Sequence, residues 1–315
     1  MITILMAVYN GEMYLKEQLE SIRRQTYSKW RLIARDDGSK DNSVKILEEF
    51  ASSVQNEVTV YVNQPACGCA KNNFARLLND AAGSEYIMFS DQDDVWKEDK
   101  LKTSMDKMHK LEEEYGSKTP LLVHSDLEVV NENMEVIAES MFDYSDIRRE
   151  ATLGQLLLQN NVTGCTMLFN SVICDAVIPY IADGSVIMHD YFIALYAKVF
   201  GKTAFIDTPL VSYRQHDSNS VGAKASKNLA YLFKRFMEGK KAYKEAVWAS
   251  TDQAWYFMDV YTSPLIRQSL FMECIYLIKY SNICNMSIFK RLGFFISSRA
   301  WKKGFIRKIM QVLWG

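Results

Sequence analysis

The chain has no long apolar run. A membrane-spanning helix needs ~20 apolar residues in succession, and the best stretches, around Phe271–Ile278 and Leu292–Ile296, fall far short of that. Any membrane contact is therefore expected to be peripheral. The opening Met-Ile-Thr-Ile-Leu has neither a basic n-region nor a small-residue cleavage site, which predicts a chain that carries no secretory signal and stays in the cytoplasm. Cys67 and Cys69 lie close together, but Cys-Gly-Cys has the wrong spacing for a zinc knuckle and no second pair follows. Free thiols are expected. No repeat, low-complexity tract or long Gly/Ser linker interrupts the sequence.

What is present suffices for a sizeable core: 315 residues, 48% of them apolar, fit one large or two ordinary domains. The formal charge of -1 conceals an asymmetry. Residues 1–223 carry 21 Lys+Arg against 33 Asp+Glu, whereas residues 224–315 carry 16 against 5. The basic, aromatic-rich tail is expected to meet anionic lipid, an acidic partner, or the acidic body of its own chain or of a neighbour; a nucleic-acid partner is not expected.

Short apolar runs at Ile2–Val8, Trp30–Ala34, Val58–Val62 and Tyr86–Phe89 alternate with amphipathic stretches, which predicts βα units on a parallel sheet. A charged helix is expected over Glu98–Tyr115 and a strand at Leu121–Val123. Further on come a helix at Thr152–Gln159, a strand at Cys165–Phe169 and a helix at Tyr191–Val199. Two extended pieces broken by Pro209 are expected over Thr203–Tyr213. Beyond Val221 only helical periodicity remains, at Ala230–Phe236, Ala242–Met258, Pro264–Ser281 and Ile288–Trp314.

Two of the apolar runs end in acid, at Asp36-Asp37-Gly38-Ser39 and at Asp91-Gln92-Asp93-Asp94. In open α/β sheets ligands bind at the carboxyl ends of strands. Carboxylates crowded there repel one another unless a cation sits between them, and hard oxygen ligands suit Mg²⁺ or Mn²⁺. The same tetrapeptide also reads as a polar turn capping the next helix. Asp190 is likewise readable as a helix cap.

Taken in order, Tyr9-Asn10-Gly11, Asp36-Asp37-Gly38-Ser39, Asp91-Gln92-Asp93-Asp94, His189-Asp190 and Arg214-Gln215-His216 resemble the family 2 glycosyltransferases over about residues 1–222. Asp91–Trp96, Asn160–Cys165 and Tyr213–His216 are similar to the bacterial rhamnosyltransferase-type subgroup. The resemblance implies an α/β, GT-A fold: a Rossmann-like mixed sheet over residues 1–222 with an all-helical extension over 223–315. It implies a UDP- or dTDP-sugar donor held by Ala7, Tyr9, Asn10, Asp36 and Asp37, with Asp91 shared between ribose and metal. Asp93 and His216 would ligate Mn²⁺ or Mg²⁺, Arg214 would pair with phosphate oxygens, and Asp190 would be the catalytic base. His216 on its own is equally readable as a surface-loop histidine.

The acceptor implied is a glycan on lipid or protein, reached at the inner face of the membrane by a cytoplasmic enzyme. A Gln-x-x-Arg-Trp box is missing, so one sugar per transfer is expected rather than processive synthesis. A sugar nucleotidyltransferase is the first alternative, although Tyr9-Asn10-Gly11-Glu12-Met13 is not the Gly-rich basic loop it would need. A non-catalytic binding module of the same fold is the second. The amphipathic helices of the tail are expected to form a homo-oligomer.

Overall fold

The structure, a computed structural model, describes residues 1–216, 229–303 and 305–314. Its elements in order are β1 (Ile2–Val8), α1 (Leu15–Arg23), β2 (Trp30–Asp36), α2 (Ser43–Ser53), β3 (Val58–Val62), α3 (Ala70–Asp80), β4 (Tyr86–Ser90), β5 (Val95–Trp96) and α4 (Lys100–Tyr115). These are followed by β6 (Leu121–Val130), β7 (Val136–Ala138), α5 (Met141–Tyr144), α6 (Leu153–Leu158), β8 (Met167–Asn170), α7 (Ser171–Val177), α8 (His189–Phe200) and β9 (Lys202–Arg214). The remainder is helical: α9 (Leu229–Arg267), α10 (Phe271–Ser281), α11 (Ile288–Ser297) and α12 (Phe305–Trp314).

These elements form two compact units: Met1–Met141 with Val162–Ala182 and Phe200–Ala223, and Phe142–Asn161 with Asp183–Val199 and Lys224–Gly315. The boundary expected at 222/223 lies outside the described residues.

The first unit is built on a mixed sheet of order β3-β2-β1-β4-β8-β6-β9-β5, with β7 on the edge of β6. Strands β1 to β4 run parallel, while β8 is antiparallel to both β4 and β6. Ile2, Ile4, Leu5 and Met6 of β1 and Ile87, Met88 and Phe89 of β4 are buried. Such continuous apolar runs are what a parallel sheet covered on both faces requires. Helix α1 turns Leu15, Leu19 and Ile22 inward, the helical spacing anticipated from sequence.

Pro209 does not break the chain into two pieces. Strand β9 runs unbroken from Lys202 to Arg214, and its pairing with β6 jumps from Ser125↔Ile206 to Asp126↔Pro209. The irregular step absorbs a residue that has no amide hydrogen for the ladder. Strand β6 likewise continues past Val123, because its polar centre is satisfied inside. Asp126, 2% exposed, accepts hydrogen bonds from the backbone of Leu127 and Met141 and from Ser140 Oγ.

In the second unit, α6 begins with a reciprocal cap between Thr152 and Gln155. The Tyr191 hydroxyl donates to the carbonyls of Leu156 and Leu157 at its other end. Phe192 of α8 packs its ring 5.6 Å from that of Phe257 on α9. Pro264 lies inside the last turn of α9 rather than opening the next helix. Among the described residues no helix is long and apolar enough to cross a membrane.

Candidate functional site

Strands β2 and β3 lie on one side of β1, and β4 returns on the other. The order reverses between β1 and β4, and a crevice opens outside the carboxyl ends of the strands at such a switch point. The turns after β1, β2 and β4 meet there. They hold one another mainly through side chain to backbone bonds.

Gln92 accepts from Tyr9 N at 2.8 Å and donates to Tyr9 O at 3.0 Å, pairing with that residue as a neighbouring strand would. Asn10, in the left-handed region at φ 48°, accepts from Lys40 N, and its own amide donates to Ser39 Oγ. Gly11 N donates to Ser43 Oγ. A Cβ on Gly11 would stand 2.5 Å from Gln92 Oε1, so any side chain there must push the Gln92 amide, the far end of a flexible side chain, out of place. Gly11→Ala is expected to displace that amide and weaken donor binding about tenfold while leaving the thermal midpoint within a few degrees. Titration of the nucleotide into the variant checks this; unchanged affinity would show that the Gln92 bridge does not shape the pocket.

Asp36 is wholly buried and its carboxylate is engaged by its own turn, accepting from the amides of Gly38 and Ser39 and from Ser39 Oγ. Gly38, at φ 83°, supplies the backbone conformation that this turn needs. Asp37 accepts from Asn63 Nδ2 and from the amides of Cys67 and Gly68. Burial raises its pKa, but these donors outweigh it and hold the carboxyl below the usual range. Ala7 is half-buried and paired with Arg35, and Tyr9 is 55% exposed at the mouth of the crevice.

The acids after β4 divide by environment. Asp94 is wholly buried, and burial, reinforced by the charges of Asp93 and Asp91, pushes its pKa well up. The Cys165 thiol, also raised mainly by burial, lies with Asp91 and Asp94 in a group whose ligand atoms fall within 4.8 Å of one another. A protonated acid and a protonated thiol are poor cation ligands. Beside them the buried Lys100 ammonium donates to Cys165 O and sits 3.9 Å over the Trp96 ring, its pKa lowered by burial to about 8. Trp96 is 2% exposed and therefore core.

Asp93 is only half-buried. Its Oδ2 lies 2.8 Å from His216 Nε2, and the His216 ring packs 5.0 Å from that of Tyr14. Neighbouring ligands at about 2.1 Å from an octahedral ion stand about 3.0 Å apart. The pair therefore has the spacing, and as carboxylate plus imidazole the chemistry, to hold Mn²⁺ or Mg²⁺.

Arg214, 2% exposed, is committed to the protein: Nε donates to Asp93 O, Nη1 to Glu132 O and Nη2 to Glu17, with the guanidinium 4.5 Å over the Tyr14 ring. It fixes the backbone of the acidic turn. Arg214 N also donates to Asp94 Oδ1.

Asp190 belongs to the second unit, in the first turn of α8, where Oδ1 accepts from Tyr191 N at 2.6 Å. His189 beside it is buried, and desolvation lowers its pKa to about 3, so it is neutral at physiological pH. Sequence reasoning did not single out Gln92, Glu17, Lys100 or Cys165 for these roles. Gln92 lies within the acidic tetrapeptide and Cys165 ends the Asn160–Cys165 motif, whereas Glu17 and Lys100 carry no motif signal.

The sequence profile of glycosyl transferase family 2 matches residues 3–165, a span that runs from β1 through the acidic turn to Cys165. Over 235 residues the chain is 29% identical to a dTDP-rhamnosyl transferase, RfbG, of Shigella flexneri, a match covering 72% of this chain and 76% of that protein. Over 159 residues it is 27% identical to an Escherichia coli UDP-Glc:alpha-D-GlcNAc-diphosphoundecaprenol beta-1,3-glucosyltransferase, WfgD, covering 50% of this chain and 58% of that protein. Among solved structures, S. aureus TarS 1–349 in complex with UDP superposes with a TM-score of 0.56 at 16% identity, over 90% of this chain and 89% of that one. With its acidic turn seated at the switch point of a mixed α/β sheet and the family profile running through that turn, the chain belongs to the family 2 glycosyl transferases and has their GT-A fold.

Proposed function

We propose that this glycosyltransferase is inverting and metal-dependent, and that it moves one sugar from a UDP- or dTDP-sugar to a glycan acceptor on lipid or protein, in bacterial polysaccharide or glycoprotein-glycan assembly. The observation that carries the proposal is the pairing of Asp93 with His216 beside the β1/β4 switch point, where the three acid- and amide-bearing turns converge. The printed activities of two relatives, a dTDP-rhamnosyl and a UDP-glucosyl transferase, support the donor class. Family membership removes the sugar nucleotidyltransferase alternative.

In this reading Ala7, Tyr9 and Asn10 line the nucleotide side of the crevice, and the exposed Tyr9 ring offers a face for the base. Asp36 and Asp37 hold the turns that shape that side, with acceptor capacity left on their oxygens for a ribose or base donor. Asp91 meets ribose or metal, and Asp93 and His216 hold the ion. Bound Mn²⁺ or Mg²⁺ supplies Lewis-acid stabilisation of the departing diphosphate. Arg214 keeps Asp93 in place and lends positive charge to the phosphate side. Asp190 accepts the acceptor hydroxyl's proton as that oxygen attacks the anomeric carbon and the bond from carbon to diphosphate oxygen breaks. One carboxylate suffices for inversion, since no glycosyl-enzyme forms.

The helices over 223–315 are proposed to carry homo-oligomer contacts, Trp248, Trp255 and Phe289 being exposed; docking at the inner face of the membrane is the second reading for them. The enzyme is placed in the cytoplasm on this proposal. A panel of nucleotide sugars with Mn²⁺, read by release of nucleoside diphosphate, tests the function. Turnover of a UDP- or dTDP-hexose supports it, and release from no donor in the presence of lipid-linked or free glycan acceptors contradicts it.

A further inference from the structure

The second unit contains a cleft that the donor chemistry does not use. It is lined by Asp146, Arg148, Gln155, Trp301, Lys302 and Lys303, among others, and opens to solvent.

Its polar walls are mostly assigned. Lys303 pairs with Asp146 at 3.1 Å, Gln155 donates to Arg299 O, and Lys302 Nζ lies 4.9 Å over the Tyr243 ring. The Arg148 guanidinium is the exception. Its Nε is buried without a hydrogen-bond partner, and the guanidinium makes no ion pair among the described residues. A buried charged donor left unsatisfied costs more than a neutral one. Three cations against one carboxylate leave the cleft net positive. The backbone around it is held in an unusual shape, with Asp146 at φ 50° and Arg299 at φ 52°, and strain of this kind concentrates at ligand clamps. Gln311 braces the segment that carries Trp301 and Lys302, accepting from Lys302 N and donating to Ala300 O.

We propose that this cleft is a second anion site, in which the Arg148 guanidinium, backed by Lys302 and Lys303, takes a phosphate or diphosphate group by charge-assisted hydrogen bonds. The site is independent of the donor pocket and needs no divalent ion. Two sources carry such a group, a soluble or acceptor-borne phosphate and an anionic lipid headgroup.

The test titrates inorganic pyrophosphate into the full-length protein in EDTA, which silences the metal-dependent donor site, for wild type, Arg148→Gln and Lys303→Gln. Saturable binding weakened at least tenfold by Arg148→Gln and less by Lys303→Gln is expected, with the Arg148→Gln melting midpoint unchanged or higher because no protein partner is lost. Absence of pyrophosphate binding, or equal affinity in wild type and Arg148→Gln, overturns the proposal. So does a midpoint several degrees lower in Arg148→Gln, which would assign the side chain to the fold. Co-sedimentation with phosphatidylglycerol vesicles, lost in Arg148→Gln, assigns the site to a headgroup; pyrophosphate binding without vesicle binding assigns it to a soluble or acceptor-borne phosphate.

Discussion

Asp190→Asn is expected to bind donor as the wild type does and to lose sugar transfer by about 10²- to 10⁴-fold, the range that a positioned general base contributes. The substitution is nearly isosteric. An asparagine oxygen still accepts from Tyr191 N at the start of α8. What disappears is the capacity to take a proton. His189 does not replace it: this imidazole is buried and held neutral by desolvation, with a pKa of about 3, too weak a base to share the task near neutrality. Nucleotide titration and a transfer assay on the same preparation separate the two effects. Wild-type turnover in Asp190→Asn would remove the base assignment, and a parallel loss of donor affinity would move the residue to the binding side.

Arg214→Met is expected to destabilise the first unit by about 3 kcal/mol, the scale for removing a buried charged donor from a set of hydrogen bonds. The methionine replaces the aliphatic stem but leaves the carbonyls of Asp93 and Glu132 without their donor. Glu17 contributes less to the loss, because its side chain is 57% exposed and rehydrates. The consequence for function is separate. With Asp93 O untethered, the Asp93 carboxylate loses its fixed distance to His216, so donor affinity should fall by more than the lost fraction of folded protein explains. Urea unfolding followed by nucleotide titration below the transition measures both. A denaturation curve that superimposes on the wild type contradicts the structural part.

The parallel half of the sheet was legible because its signal is local. β1 and β4 are near-continuous apolar runs, amphipathic helical stretches separate the strands, and the acids at Asp36-Asp37 and Asp91–Asp94 mark strand ends without reference to anything distant. Asp93 and His216 were named together from the order of motifs, and folding brings them 2.8 Å apart across 123 residues of sequence. Contacts that join separated segments through unremarkable residues were not legible. Arg214 was singled out as a cation for phosphate, whereas the partners it reaches in the protein are Glu17, Asp93 and Glu132, and no pattern within any one segment announces that set. The passage of β9 through Pro209 failed to show for a similar reason: the irregular step that accommodates the proline belongs to the pairing with β6, not to β9 alone. The resemblance divides the Asp91–Asp94 cluster, with Asp93 for the metal and Asp91 for ribose or metal, but that Asp94 is driven toward its neutral form comes from burial, which its sequence neighbours do not show.

The account stands on the acidic turn as the metal-dependent wall of a nucleotide pocket. Its most direct test is titration of UDP and dTDP into wild type and Asp93→Ala, each with Mn²⁺ and with EDTA. The account predicts that Mn²⁺ tightens binding of one of the two nucleotides to the wild type by at least tenfold and leaves Asp93→Ala at the EDTA affinity. Equal affinities with and without Mn²⁺ in the wild type, or a full Mn²⁺ gain retained in Asp93→Ala, would contradict it.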